Sequence, residues 1–163
     1  MTKQLSTQAQ AAKMIRASLK ANGISAKVTS ESASMMTAVR VEILGDVLPA
    51  TKKAVEAYAN QFQYGHFDGM QDLYEYSNRN ADLPQVKYVT VTATYSDEIK
   101  QEVLTYLCAN YADFANVPTT LAEVKYYTQA GSESVHTWIH RVLAGVEAVE
   151  FWSTRKPRVQ VAA

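Results

Sequence analysis

Period-two alternation of apolar and polar residues occurs twice in this chain, with three- or four-residue periodicity on either side of it. Val39, Val41 and Ile43 alternate with Arg40 and Glu42, which is the pattern of a strand buried on one face. Val89, Val91, Ala93 and Tyr95 share one face of a second run, with threonines on the other. Its β-branched content makes 86–95 the strongest strand in the sequence. A weaker strand is predicted over 26–31, with the polar stretch 32–37 joining it to 38–44 as an antiparallel pair. Another short strand is predicted over 73–76.

Helical periodicity fills much of the rest. Ser6 or Thr7 can cap a first helix that ends near Asn22, with Gly23 as its stop. Pro49 suits the first turn of a second helix, expected to bury Ala54, Val55, Tyr58 and Phe62. Ser96 caps a third, with Asp97 and Glu98 placed favourably at its dipole and Ile99, Val103, Tyr106, Leu107, Tyr111 and Phe114 as its apolar stripe. Thr120 and Glu123 have the spacing of a capping box. A last helix is predicted over 134–149, burying Val135, Trp138, Ile139, Val142, Val146 and Val149. The expected fold class is α+β: a small, mostly antiparallel sheet packed against helices, with a helical C-terminal extension. The expected division is a core over 1–96 and an extension over 97–163, packed together as one domain.

Charge and cysteine usage narrow the function classes. Lys plus Arg and Asp plus Glu each number 16, so the net charge is zero. A non-specific nucleic-acid binder usually carries a basic excess, so any such contact here must use a local patch. Cys108 is the only cysteine, so no intrachain disulfide can form and a reducing compartment is expected. The N-terminal residues lack an apolar signal core, and no run of 18 apolar residues occurs. These readings predict a soluble protein of a reducing cytoplasm, with no membrane association.

Between the second helix and the 73–76 strand lies Tyr64-Gly65-His66-Phe67-Asp68-Gly69-Met70-Gln71-Asp72. Two glycines four apart, with an aromatic and a carboxylate between them, describe a tight loop. Asp68 is expected to accept hydrogen bonds from its own loop amides, and Phe67 and Met70 to plug the loop into the core. The helix bearing Ala11, Ala12, Lys13, Met14, Ile15 and Arg16 comes first, then the strand Val39-Arg40-Val41. The glycine run and the strand Lys87-Tyr88-Val89 follow. In that order, over about residues 9–96, the chain resembles the twenty-ninth class of large polyvalent protein-associated domains. The specific elements are Gly65, Phe67, Asp68, Gly69, Met70 and Asp72. The resemblance implies a setting in phages, plasmids or integrative elements, and so the cytoplasm of a bacterial host; some such domains belong to very large fusions thought to enter a new host with the DNA. It implies no residue-level mechanism.

Catalytic constellations are sparse. His136 and His140 have a spacing that can present two imidazoles to one metal, with Glu133 and Glu147 on the same side. Thr137 stands where a zinc protease motif needs its glutamate, so a polar helix flank is the ordinary reading. Asp68 and Asp72 can be drawn as a carboxylate pair, though turn chemistry explains Asp68 better. Cys108 lies beside a buried stripe and reads as a small hydrophobe. Lys13, Arg16 and Lys20 form one basic stripe, and Arg155, Lys156 and Arg158 a basic tail; both can contact phosphates. Tyr126, Tyr127, Trp138, Phe151 and Trp152 are expected mainly to fill a C-terminal core.

The expected function is that of a non-enzymatic mobile-element protein that binds a host factor. Its sharpest form is an inhibitor of a host defence protein or nuclease complex, of anti-CRISPR or antirestriction type. The alternatives are a nucleic-acid-binding accessory protein and a small metal-dependent enzyme. No cofactor is expected, and the oligomeric state is left open.

Overall fold

The computed structural model describes residues 4–153 and 155, in two compact units that divide between Thr94 and Tyr95. In the N-terminal unit, helix α1 (Thr7–Ala21) buries Ala11, Ala12, Ile15 and Leu19 at helical spacing. Its Ser6 takes the N-cap position without a side-chain hydrogen bond, and Gly23 ends it at φ +69°. Strands β1 (Ala26–Ala33) and β2 (Met36–Leu44) form an antiparallel hairpin from Ala26↔Ile43 to Ala33↔Met36. The connection expected over 32–37 shrinks to Ser34-Met35, with Met35 at φ +64°, and the pairing continues nearly to the turn.

Helix α2 (Pro49–Asn60) starts on its proline and buries Thr51, Val55 and Ala59. Ala54, expected inside, faces solvent, because the i, i+4 row through Val55 sets the buried stripe. Phe62 is buried just beyond the helix end. A separate small hairpin follows, β3 (His66–Asp68) with β4 (Leu73–Glu75). Strand β5 (Tyr88–Thr94) then runs parallel to β2, from Ala38↔Tyr88 to Leu44↔Thr94. The order β1-β2-β5 makes β2 the centre of a mixed three-stranded sheet. Parallel pairing needs a long return path, and α2 with the second hairpin supplies it. Val39, Val41 and Ile43 face a core of Ile15, Leu19, Val55, Phe62 and Val86.

The C-terminal unit is built on α3 (Asp97–Asn110), where Ser96 Oγ accepts the Ile99 N–H at 3.3 Å. It buries Ile99, Val103, Leu104 and Leu107. Short 3-10 turns follow at Ala112–Phe114 and Leu121–Glu123. Thr120 makes no side-chain cap on the second of these. Gln101 holds that turn from α3, accepting the Leu121 N–H at 2.7 Å and donating to Thr119 O at 2.8 Å.

A two-residue pairing of β6 (Gln129–Ala130) with β7 (Glu133–Ser134) leads into α4 (Val135–Leu143). The helix predicted over 134–149 ends there. Gly145, at φ +70°, donates to Val142 O while the Val146 N–H reaches Arg141 O, a left-handed helix stop that leaves no continuing turn. Val146 and Val149, expected inside, are therefore exposed, and a separate turn α5 (Glu150–Ser153) places Phe151 in the core. Phe114, Leu104, Leu107, Val135 and Val142 form that core. The architecture is α+β with a helical C-terminal part. Among the described residues no helix is long and apolar enough to cross a membrane.

Candidate functional site

The glycine run folds into the β3–β4 hairpin, and Gly65, Asp68 and Asp72 each have a separate cause. Gly65 is required by contact and not by backbone dihedral. A Cβ there would sit 1.9 Å from Glu75 O and 2.6 Å from the Tyr74 ring, whereas its φ is not left-handed. Asp68 Oδ1 accepts the Met70 N–H at 2.8 Å, as a turn aspartate does. Asp72 takes the left-handed position, at φ +51°, a conformation that short polar side chains tolerate. Upstream, Gln63 donates to Gly65 O and accepts the Val89 N–H, both at 2.6 Å. Its backbone bridges Val86 in parallel.

The expectation that Phe67 and Met70 plug this loop into the core is overturned. Phe67 is 52% exposed, Met70 96% and Leu73 54%. Among the described residues the hairpin's strands pair only with each other, and these side chains stand exposed at its tip. Phe67 lies opposite Tyr74 on one face, Asp68 opposite Leu73 on the other, and Met70 stands at the end. The base is tied down. His66 Nδ1 lies 2.9 Å from Ser77 Oγ, and its Nε2 lies 3.4 Å from Glu75 Oε2. Tyr74 packs edge-on against Tyr64, Tyr76 and Tyr88 at 5.4–5.8 Å. Its hydroxyl donates to Lys87 O at 2.6 Å. Burial, followed by the neighbouring Tyr64, Tyr88 and Tyr76 hydroxyls, pushes its pKa up to about 12. The convergence of these four tyrosines had no sequence signal beyond the Tyr74, Tyr76 spacing.

The other sequence candidates lie on other elements. Lys13 and Lys20 are exposed on α1, but Arg16 donates to Val28 O at 2.7 Å and fastens the helix to β1. Arg155, in the other unit, donates to Phe151 O at 2.8 Å, pairs with Glu102 and lies 3.7 Å over the Phe151 ring. Lys156 and Arg158 lie outside the described residues. His136 and His140 are both exposed on α4. Glu133 and Glu147, drawn with them as a ligand set, both pair with Arg141. Among the described residues no group of three donors is placed to hold a metal ion.

Cys108 is half-buried on α3, and burial pushes its thiol up. Trp138, Phe151 and Trp152 pack into or against the C-terminal core as expected. Tyr126 and Tyr127 do not: both are exposed, edge-on to each other at 5.2 Å.

Residues 6–111 match the family model described as large polyvalent protein associated domain 29. The matched stretch takes in every element from α1 to α3, more than the 9–96 expected. No curated protein and no solved structure matches the chain.

Proposed function

Because the chain belongs to the large polyvalent protein associated domain 29 family, a group associated with phages and other mobile elements, we propose that it serves such an element by binding a host protein and catalysing nothing. In its sharpest form the partner belongs to a bacterial defence system, and the chain is an inhibitor of anti-CRISPR or antirestriction type. One observation carries this reading. The hairpin that holds the residues carrying the sequence resemblance leaves Phe67, Met70 and Leu73 largely uncovered on a turn fixed by Asp68. Phe and Met are enriched where proteins meet, and apolar anchors near the centre of an interface carry much of its energy. A hairpin already held in shape also loses little entropy on docking. The basic stripe is a weaker basis for function, since Arg16 is engaged within the fold.

The test is phage plating on hosts carrying restriction or CRISPR systems, with and without the protein. Wild type is expected to restore plating in at least one host. The double variant Phe67→Ser, Met70→Ser is expected to lose that effect while melting like wild type. No rescue in any host, or full rescue by the double variant, would overturn the reading.

A further inference from the structure

We propose a second site in the N-terminal unit: a cleft beside Tyr64 and Tyr76 that binds a nucleotide, with the phosphate on Arg79 and the base against the aromatic wall. The cleft measures about 530 Å³, and Thr7, Tyr64, Tyr76, Arg79, Leu83 and Gln85 are among its lining residues. That volume lies within the roughly 300–1,000 Å³ of small-ligand sites and is far larger than an inorganic anion needs. None of the described lining side chains is acidic, and Arg79 is the one cation among them.

The loop that carries Arg79 has no regular secondary structure, yet it is firmly held. Asn78 Nδ2 donates to Asn60 O at 3.1 Å and to Gln63 O at 2.9 Å. Gln85 Nε2 donates to Gln61 O at 2.8 Å and Asn78 O at 2.7 Å, while its Oε1 accepts the Asn80 N–H at 2.7 Å. These two amides use their donors on backbone carbonyls. Between them, Arg79 has no hydrogen-bond or ion-pair partner among the described residues. Its guanidinium lies 4.6 Å over the Tyr76 ring and 5.9 Å from the Tyr64 centroid. Those two rings are near-parallel, 5.5 Å apart at 16°.

Stacking on an aromatic face fixes the plane of a guanidinium and leaves its N–H fork free at the edges. That fork matches a phosphate in two-point contact. The exposed ring of Tyr76 and the apolar side chain of Leu83 offer a flat base the rest of the cleft. The open face of the β1-β2-β5 sheet lacks this combination, because Glu31 and Glu42 line it and Arg40 there is paired with Glu31 at 3.1 Å.

The experiment is calorimetric titration of the full chain with adenosine monophosphate and, separately, with a short oligothymidylate. Saturable binding of at least one probe is expected, weakened about tenfold by Arg79→Ala and comparably by Tyr76→Leu. Lys13→Ala, on α1, is expected to leave it unchanged, as is the hairpin double variant, so this site and the host-protein reading fail separately. Mononucleotide binding identifies a free-nucleotide site. Oligonucleotide binding alone, weakening as salt rises, identifies single-stranded nucleic acid. Neither probe binding at millimolar concentration, or both cleft variants binding like wild type with native circular dichroism, overturns the proposal.

Discussion

Replacing Gly65 by Ala tests the close approach of its backbone to β4. At a position whose φ is not left-handed, Gly→Ala ordinarily stabilises by about 0.4–1 kcal/mol, through the entropy of the unfolded chain. Here the added methyl would lie 1.9 Å from Glu75 O, more than 1 Å inside the 3.0 Å that such carbons keep from other atoms. The obstacle is backbone, so no rotamer change removes it, and the Tyr74 ring at 2.6 Å closes a second direction. Overpacking of this kind costs about 1–3 kcal/mol and occasionally more. With the upper end applying to a backbone clash, the net loss is about 2 kcal/mol. For a unit of this size that lowers the melting temperature by about 10 °C.

Gly69 is the internal control, since its nearest neighbour would be a Phe67 ring carbon at 3.9 Å and its φ is not left-handed either. Gly69→Ala should be neutral or stabilising by up to about 1 kcal/mol. Thermal melts followed by far-ultraviolet circular dichroism report both units. Both tryptophans, Trp138 and Trp152, lie in the C-terminal unit, so their emission isolates it. A Gly65→Ala protein as stable as wild type would refute the close approach of Gly65 to β4.

Ser96→Ala removes the cap on α3 and should cost about 1 kcal/mol, read as a lower urea midpoint of tryptophan emission; an unchanged midpoint would sink the cap. The Tyr74 pKa is raised in the fold to about 12, so its contribution is complete below the unfolded tyrosine value near 10 and is lost as pH rises through 12. Tyr74→Phe should therefore flatten the fall of stability with pH in that window, and an equally steep fall in the variant would contradict it. The raised, half-buried Cys108 thiol should react with dithiodipyridine at least about tenfold more slowly in the folded protein than in urea. Equal rates would place it at the surface.

Elements with strong periodicity were readable in advance. The alternation through Val39, Val41 and Ile43 defined β2, Ser96 marked the start of α3, and Gly23 marked the end of α1. Partner choice was not readable, because side-chain alternation is the same in parallel and antiparallel strands, so nothing in 86–95 shows that β5 lies beside β2. Strand β3 was missed because three residues between glycine-rich turns carry no period.

Direction also failed where hydrophobicity stood in for it. Phe67 and Met70 are apolar, yet they stand exposed on their hairpin. Val146 and Val149 followed the helical stripe on paper, but Gly145 had already ended the helix. That signal was present in the sequence and was outweighed by the apolar spacing. The Tyr64, Tyr74, Tyr76 and Tyr88 cluster needed tertiary contact across more than twenty residues, which no local pattern contains.

Gln63 carries a consequence for how this protein behaves in a crowded solution. The Val89 N–H that it binds is taken by a side chain and not by β2, so this donor lies on the side of β5 away from β2, where no strand pairs among the described residues. An unprotected edge invites a strand from another molecule. The amide oxygen of Gln63 occupies the place that a foreign carbonyl would take, and its nitrogen is held on Gly65 O, so the plug is fastened within its own chain. One uncharged side chain thus shields the margin of β5 at Val89 from edge-to-edge association, a task that surface charge performs in other sheets.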